Sequence, residues 1–201
     1  MNEVFSESEM SQIEVRACQA ADDWSHTDDE GDLIERAKHD REAFSTLYRR
    51  HYRLLSDHVY RRTGDMHATE DIVADVFLAA LRTLPRFRRR GVPVRFWLLR
   101  IATNAVNHWV RRKRRHPVLT LDPDRLMAPS STSSSHEGRN DLARARRALL
   151  SLAPKYQAVL SLRYFEGLTV KEVAVVLGSR VGTIKSRLAR AREALRERLT
   201  P

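Results

Sequence analysis

A chain of 201 residues holds one domain or two small ones, and a formal net charge of +10 favours a polyanionic partner, nucleic acid before an anionic membrane. Its single cysteine, Cys18, excludes an intramolecular disulfide and a cysteine-based zinc site within one chain. We find neither signal-peptide features nor an apolar run near the roughly 20 residues that span a bilayer, so we expect a cytoplasmic protein without membrane insertion.

The charge is divided unevenly along the chain. Ten acidic residues and one basic residue up to Asp32 give −9, whereas 35 basic and 16 acidic residues after it give +19. Residues 1–31 are polar and weakly periodic, a composition typical of disorder. The sequence therefore predicts a disordered acidic arm attached to a strongly basic body.

Residues 32–115 are predicted to form three amphipathic helices, because their apolar positions recur at helical spacing. Gly64 and Asp65 separate the first helix from the second, and Pro85 ends the second. An arginine-rich loop follows, and Pro93 suits the first turn of the third helix. The apolar stripes of these helices include Tyr48, Tyr52, Leu81, Trp97 and Trp109.

Residues 116–140 contain three prolines and a serine-rich run, a composition typical of a flexible linker. Helical spacing returns over residues 141–201, where Asp141 is a plausible N-cap and Pro154 can open the next helix. No strand-like alternation is found. The predicted fold is all-α, with two small helical modules joined by the linker.

The last part of the chain, FEGLTVKEVAVVLGSRVGTIKSRLARAREALRERL, predicts a helix-turn-helix. Thr169 and Glu172 fit a capping box, Gly178 suits the turn, and Thr183 is placed to cap the second helix. That second helix is apolar on one side and cationic on the other, as a helix in the DNA major groove requires. A basic amphipathic surface helix is the alternative.

A second basic surface is predicted in the first module, where the arginine-rich loop leads into a helix with aromatic and amide side chains. Cations follow a nucleic-acid backbone and aromatic rings stack on unpaired bases, so this combination suits single-stranded nucleic acid. The same spacing also allows Trp97 and Trp109 to be core residues.

An acidic cluster of Glu70, Asp71 and Asp75 lies near the start of the second predicted helix. No histidine or cysteine completes a metal-ligand set there, so a surface for a basic protein partner is the better interpretation. The eight histidines form no HExxH pattern, and no glycine loop could cradle phosphate. We therefore expect no enzyme, cofactor or metal.

Three segments resemble one family. HATEDIVADVFLAAL is similar to the core-binding region 2.2 of sigma-70-type sigma factors, WLLRIATNAVNHWVRRKRR to region 2.4, and LAPKYQAVLSLRYFEGLTVKEVAVVLGSRVGTIKSRLARAR to region 4. The resemblance is to the extracytoplasmic-function (ECF) group and covers about residues 40–115 and 141–199. His108 departs from the family pattern, which usually has aspartate there.

The resemblance implies a promoter-specificity factor that binds core RNA polymerase and leaves the chemistry to the polymerase. Region 2 would bind the clamp helices of the largest subunit, region 4 would bind the flap, and an anti-sigma factor is a further possible partner. The core-binding residues would be Asp71, Asp75, Val76 and Phe77. The residues at the melted minus-10 strand would be Arg88, Arg89, Arg90, Arg95, Trp97, Asn104, His108, Arg111 and Arg112. Those at the minus-35 duplex would be Arg180, Thr183, Lys185, Ser186, Arg187 and Arg190.

The alternative function is a helix-turn-helix repressor or activator that acts as a dimer without core polymerase. Such a regulator needs a dimerisation or ligand domain in its N-terminal half. This sequence has a basic, aromatic helix there instead, which favours the sigma factor.

Overall fold

The computed structural model describes residues 27–87, 92–115 and 136–200, and the secondary structure of these residues is entirely helical. Most of the predicted arm and linker, and the loop residues Arg88, Arg89 and Arg90, lie outside these ranges. The all-α prediction is confirmed for the described part of the chain. Its eight α-helices are α1 Thr27–Ala37, α2 Arg41–Thr63, α3 Met66–Thr83, α4 Val94–Arg115, α5 His136–Ser151, α6 Pro154–Leu160, α7 Val170–Leu177 and α8 Val181–Leu199.

The junction between α2 and α3 follows from two adjacent residues. Gly64 ends α2 in the left-handed region, with φ 68°, and its N–H donates to the carbonyl of Tyr60. Glycine adopts this conformation without the steric cost that a Cβ imposes. Asp65 then caps α3, and its carboxylate accepts from the backbone N–H of Ala68 at 3.1 Å. The predicted break at this point is confirmed.

One hydrophobic core runs through both halves of the molecule. It contains Leu47 and Leu55 of α2, Val73 of α3 and Leu98 of α4, and it continues into the second half through Leu152. Each such side chain contributes about 1.5–3 kcal/mol when it leaves water. Helix α1 packs on α2, so the first residues of α1, which we assigned to the disordered arm, are helical instead.

The second half begins earlier than its composition suggests. Helix α5 starts at His136, so Asp141 lies inside the helix and is not its N-cap. Helix α6 starts with Pro154 in its first turn, as predicted, and runs into a wide π turn, Ser161–Phe165. The N–H of Glu166 closes this turn on the carbonyl of Ser161 at 3.1 Å.

The helix-turn-helix consists of α7 and α8. Thr169 and Glu172 form the predicted capping box, with bonds of 2.7 and 3.3 Å, and Gly178 adopts a φ of 58° in the turn. The prediction that Thr183 caps α8 is wrong, because α8 already begins at Val181. The N-cap residue of α8 is Arg180, and no side chain caps this helix.

Candidate nucleic-acid and polymerase interfaces

Helix α8 has a buried side and a cationic side. Ile184, Leu188 and Ala191 are buried against the rest of the second half, which fixes the rotation of the helix about its axis. Arg187 is half-buried, and the other five predicted minus-35 residues are exposed. At 3.6 residues per turn, Thr183, Ser186, Arg187 and Arg190 share one flank, whereas Lys185 leaves the helix about 150° away from them.

Helix α4 presents a polar stripe along its exposed side. Asn104, His108 and Arg111 are exposed at helical spacing, and the adjoining Arg112 is exposed as well. Trp97 lies on the same side and is half-buried, with its ring 4.6 Å from that of Phe87. A ring that is held by the core on one face and open on the other can stack on an unpaired base. Trp109 is half-buried too and packs against the core.

Arg95 lies apart from this stripe. Its guanidinium is 5.0 Å from the ring centroid of Phe96, and its charge helps to lower the pKa of His51. It leaves the helix on the side opposite Asn104 and His108, so the structure does not bring Arg95 together with the other minus-10 residues of α4.

Helix α3 carries the acidic surface. Asp71 and Asp75 are exposed one turn apart. Val76 and Phe77, which we expected to bind core polymerase with them, are only 1% and 4% exposed and lie in the core beneath this surface. Leu78, half exposed to solvent, continues the acidic stripe instead.

Exposed aromatic and aliphatic side chains extend this surface onto α2. Tyr48 packs on Phe77, with ring centroids 4.4 Å apart, and on Tyr52 at 5.3 Å, yet both tyrosines remain exposed. Leu81 is exposed beside them. Sequence reasoning missed these residues because it placed them on the apolar faces. The sequence did contain a signal for exposed apolar residues, namely the width of the apolar stripe of α3. This helix has apolar residues at more positions than one packed face can bury.

Within the described residues, no three histidine, cysteine, aspartate or glutamate side chains gather where they could hold a metal ion. Of the helices described, none combines the length and apolar character that crossing a bilayer requires.

Comparison with known proteins follows the same division into two halves. Residues 47–116 match the family model of Sigma-70 region 2, and residues 142–195 match that of Sigma-70, region 4. The ECF RNA polymerase sigma factor SigE of Mycolicibacterium smegmatis is 33% identical over 188 residues, which cover 88% of this chain and 71% of that protein. The chain belongs to the ECF sigma factors of the sigma-70 family.

Other relatives support the same family assignment. The RNA polymerase sigma-H factor of Pseudomonas aeruginosa is 32% identical, and the ECF RNA polymerase sigma-E factor of Escherichia coli is 31% identical; each match covers 84% of this chain and 93% of the relative. Among solved structures, CnrH in complex with the cytosolic domain of CnrY superposes with a TM-score of 0.62 at 27% identity, covering 85% of this chain and 96% of CnrH. The sigma factor RpoE of Bartonella quintana, in complex with the anti-sigma factor NepR, gives 0.58 at 26% identity, covering 78% and 96%.

This sigma factor therefore binds core RNA polymerase and promoter DNA and directs promoter-specific initiation of transcription. The sigma-factor prediction is confirmed over the dimeric repressor or activator. The match to region 2 occupies the N-terminal half, where such a regulator needs its dimerisation or ligand domain.

Proposed function

We propose that three separate exposed surfaces divide the work of this sigma factor. The observation that carries the proposal is their different chemistry: an acidic and apolar surface on α2 and α3, a polar and aromatic stripe on α4, and a cationic flank on α8. We assign region 2 to residues 32–115, the linker to 116–140 and region 4 to 141–201, with the acidic arm before them.

The polymerase surface is formed by Asp71, Asp75, Leu78, Leu81 and Tyr48. Exposed leucines and a tyrosine between carboxylates are suited to a helical partner with basic residues around an apolar seam. Tyr48 and Leu81 also line a groove of about 380 Å³ next to the junction of α1 and α2, which could accept a side chain of the partner.

The melted minus-10 strand is assigned to the stripe of Trp97, Asn104, His108, Arg111 and Arg112. Trp97 supplies a stacking surface, Asn104 can bond a base edge, and the arginines follow the phosphates. The loop arginines Arg88, Arg89 and Arg90 belong to the same proposal and lead into α4. Arg95 is suited to a supporting role, because it lies away from the stripe.

The minus-35 duplex is assigned to Arg180, Thr183, Ser186, Arg187 and Arg190. Arg187 is held by partial burial and can bond a guanine edge, whereas the exposed Arg190 is suited to a phosphate. Lys185 would reach the backbone from the other flank of α8.

The protein is proposed to act in the cytoplasm as an initiation factor without catalysis of its own, since the polymerase forms the phosphodiester bonds. An anti-sigma factor is a proposed further partner, because the relative from Bartonella quintana was solved with one.

Transcription in vitro with core RNA polymerase tests the proposal. A library of genomic fragments should yield promoter-dependent transcripts with the wild-type chain, and no transcripts above core alone would refute it. Asp71→Arg with Asp75→Arg should abolish binding to core by charge repulsion and leave the fold intact by circular dichroism. Glu193→Arg with Glu197→Arg makes the same charge change at the same spacing on α8. An equal loss in this control would show that the effect is not specific to the acidic surface.

A further inference from the structure

A groove lies where the turn after α1 meets the last turns of α3. It has a volume of about 380 Å³, and its apolar lining comes from Ala37, Phe44, Tyr48 and Leu81. Tyr48 and Leu81 are 38% and 48% exposed, so part of this lining stays in contact with solvent. Concave apolar sites with a few polar groups at the rim are the usual form of binding pockets. The groove is therefore suited to an aromatic or aliphatic side chain.

The permanently charged groups at the rim of the groove are paired, with one exception. Nζ of Lys38 lies 2.7 Å from Oε1 of Glu35, and the carboxylate of Asp40 accepts from the backbone N–H of Glu42 at 2.9 Å. Arg41 is exposed at the same rim and makes no hydrogen bond or ion pair with any described residue. A segment that carries an apolar side chain next to a carboxylate would fill the groove and pair with this guanidinium.

The first 26 residues of the chain contain such a segment. They lie outside the described residues, and they carry six acidic side chains and one basic side chain, that of Arg16. Phe5 stands between Glu3 and Glu7, so its ring has a carboxylate on either side in the sequence. Trp24 is the only other phenylalanine, tyrosine or tryptophan in this stretch.

Chain length favours Phe5 over Trp24 as the residue that reaches the groove. Helix α1 rises about 15 Å from Thr27 to Ala37, where the groove begins. The three residues from Trp24 to Thr27 span about 10 Å when extended, which is less than the length of this helix. The 22 residues from Phe5 to Thr27 can span about 75 Å, so Phe5 can reach every part of the groove.

We infer that residues 2–9 dock in this groove in the free sigma factor, with the ring of Phe5 in its apolar part and a neighbouring carboxylate on Arg41. A segment of the same chain has an effective concentration on the order of a millimolar, so even a weak contact is populated. Tyr48 and Leu81 also belong to the proposed polymerase surface, so the docked segment competes with core polymerase. This competition rests on the proposed function, whereas the docking does not.

Double electron–electron resonance between nitroxides at Ser8→Cys and His67→Cys, in a Cys18→Ser background, measures the docking. We expect a narrow distance population in this chain. Phe5→Ser should remove that population, whereas Trp24→Ser, a matched control in the same stretch, should keep it. Both substitutions lie outside the described helices, so unfolding of these helices does not explain a difference between them.

The ion pair is tested from the side of the groove. Arg41→Glu should reduce the narrow population, because it places a carboxylate opposite an acidic segment. Arg53→Glu makes the same charge change at an exposed position about three turns further along α2, and it should have no effect. Adding Glu3→Arg and Glu7→Arg to Arg41→Glu should restore docking. Arg41 is the first residue of α2, where the helix dipole favours a carboxylate, so the fold should be retained.

Titration of core RNA polymerase with the same proteins measures the competition. The apparent affinity for core falls in proportion to the undocked fraction, so Phe5→Ser should tighten core binding by the reciprocal of that fraction. The gain is about tenfold if one molecule in ten is undocked. Trp24→Ser should bind core as the wild type does.

A broad distance distribution in the wild type, or a narrow one that Phe5→Ser leaves unchanged, would overturn the docking. A narrow population that appears when singly labelled chains are mixed would show exchange between two copies, and would overturn docking within one chain. Docking without any change in core affinity would overturn the competition. The resonance experiment uses no polymerase. Failure of the wild type to support transcription would therefore count against the proposed function and leave the docking result standing.

Discussion

Acidification should destabilise this protein through His51. The ring is fully buried on α2, with Nε2 4.0 Å from the Glu30 carboxylate of α1. Burial, followed by the positive charges of Arg50 and Arg95, lowers the pKa of His51 from 6.5 to about 4. A protonated imidazolium is therefore disfavoured in the native state, although it forms readily once the chain unfolds.

The direction and size of the effect follow from this difference. Above pH 6.5 the ring is neutral in both states, and His51 adds nothing to the pH dependence. Between pH 6.5 and about 4 only the unfolded state takes up the proton, so native stability falls by about 1.4 kcal/mol per pH unit. At pH 5 the loss that His51 causes should be about 2 kcal/mol.

Urea unfolding followed by circular dichroism at pH 7 and pH 5 measures this loss. His51→Leu keeps the site filled and removes the titrating group, so it should lose about 2 kcal/mol less than the wild type between the two pH values. His67→Gln, at an exposed position on α3, should behave like the wild type. The buried His58 titrates in all three proteins and cancels in the comparison. An equal loss in the wild type and His51→Leu would refute the reasoning.

Two further predictions concern the interaction surfaces. Arg187→Ala should weaken minus-35 binding by about 1–3 kcal/mol and relax selectivity at one base pair, whereas Arg190→Ala should weaken binding to all sequences alike. Titration of every single-base variant of a site separates the two, and uniform losses for both arginines would exclude base reading by Arg187. Leu78→Ser should reduce core polymerase affinity in a pull-down titration, because it removes exposed apolar surface from the centre of the proposed contact. Val175→Ser, at a similarly exposed position on α7, should have no effect, and matching losses would contradict the placement of the polymerase surface.

Local chemistry made part of this fold predictable from the sequence. A left-handed C-cap favours glycine and an N-cap favours aspartate, so the adjacent Gly64 and Asp65 predict the end of one helix and the start of the next. The spacing of Thr169 and Glu172 predicts a helix start in the same way. Each of these signals is complete within a few residues. Features with no such signal were missed, among them the start of α5 at His136 inside a segment with the composition of a linker.

Burial and long-range pairing were not predictable. Val76 and Leu81 both follow the apolar spacing of α3, but only packing decides that Val76 lies in the core and Leu81 at the surface. His58 and Glu166 are 108 residues apart, and no sequence pattern around either residue predicts their contact. Such pairs arise from how two helical modules meet, which helical periodicity does not encode.

The π turn Ser161–Phe165 has a consequence for how this architecture can vary. A bond between residues five apart takes one more residue than an α-helical bond. Deletion of a single residue here would let the helix close as an ordinary α-helix over nearly the same rotation, because the π turn holds one residue more than an α turn needs. Glu166 would then still face α2, and α8 would keep its direction. A deletion within the regular part of α6 would instead rotate everything after it by about 100°. The direction of the DNA-reading helix is thus protected against the loss of one residue at one particular place in the chain.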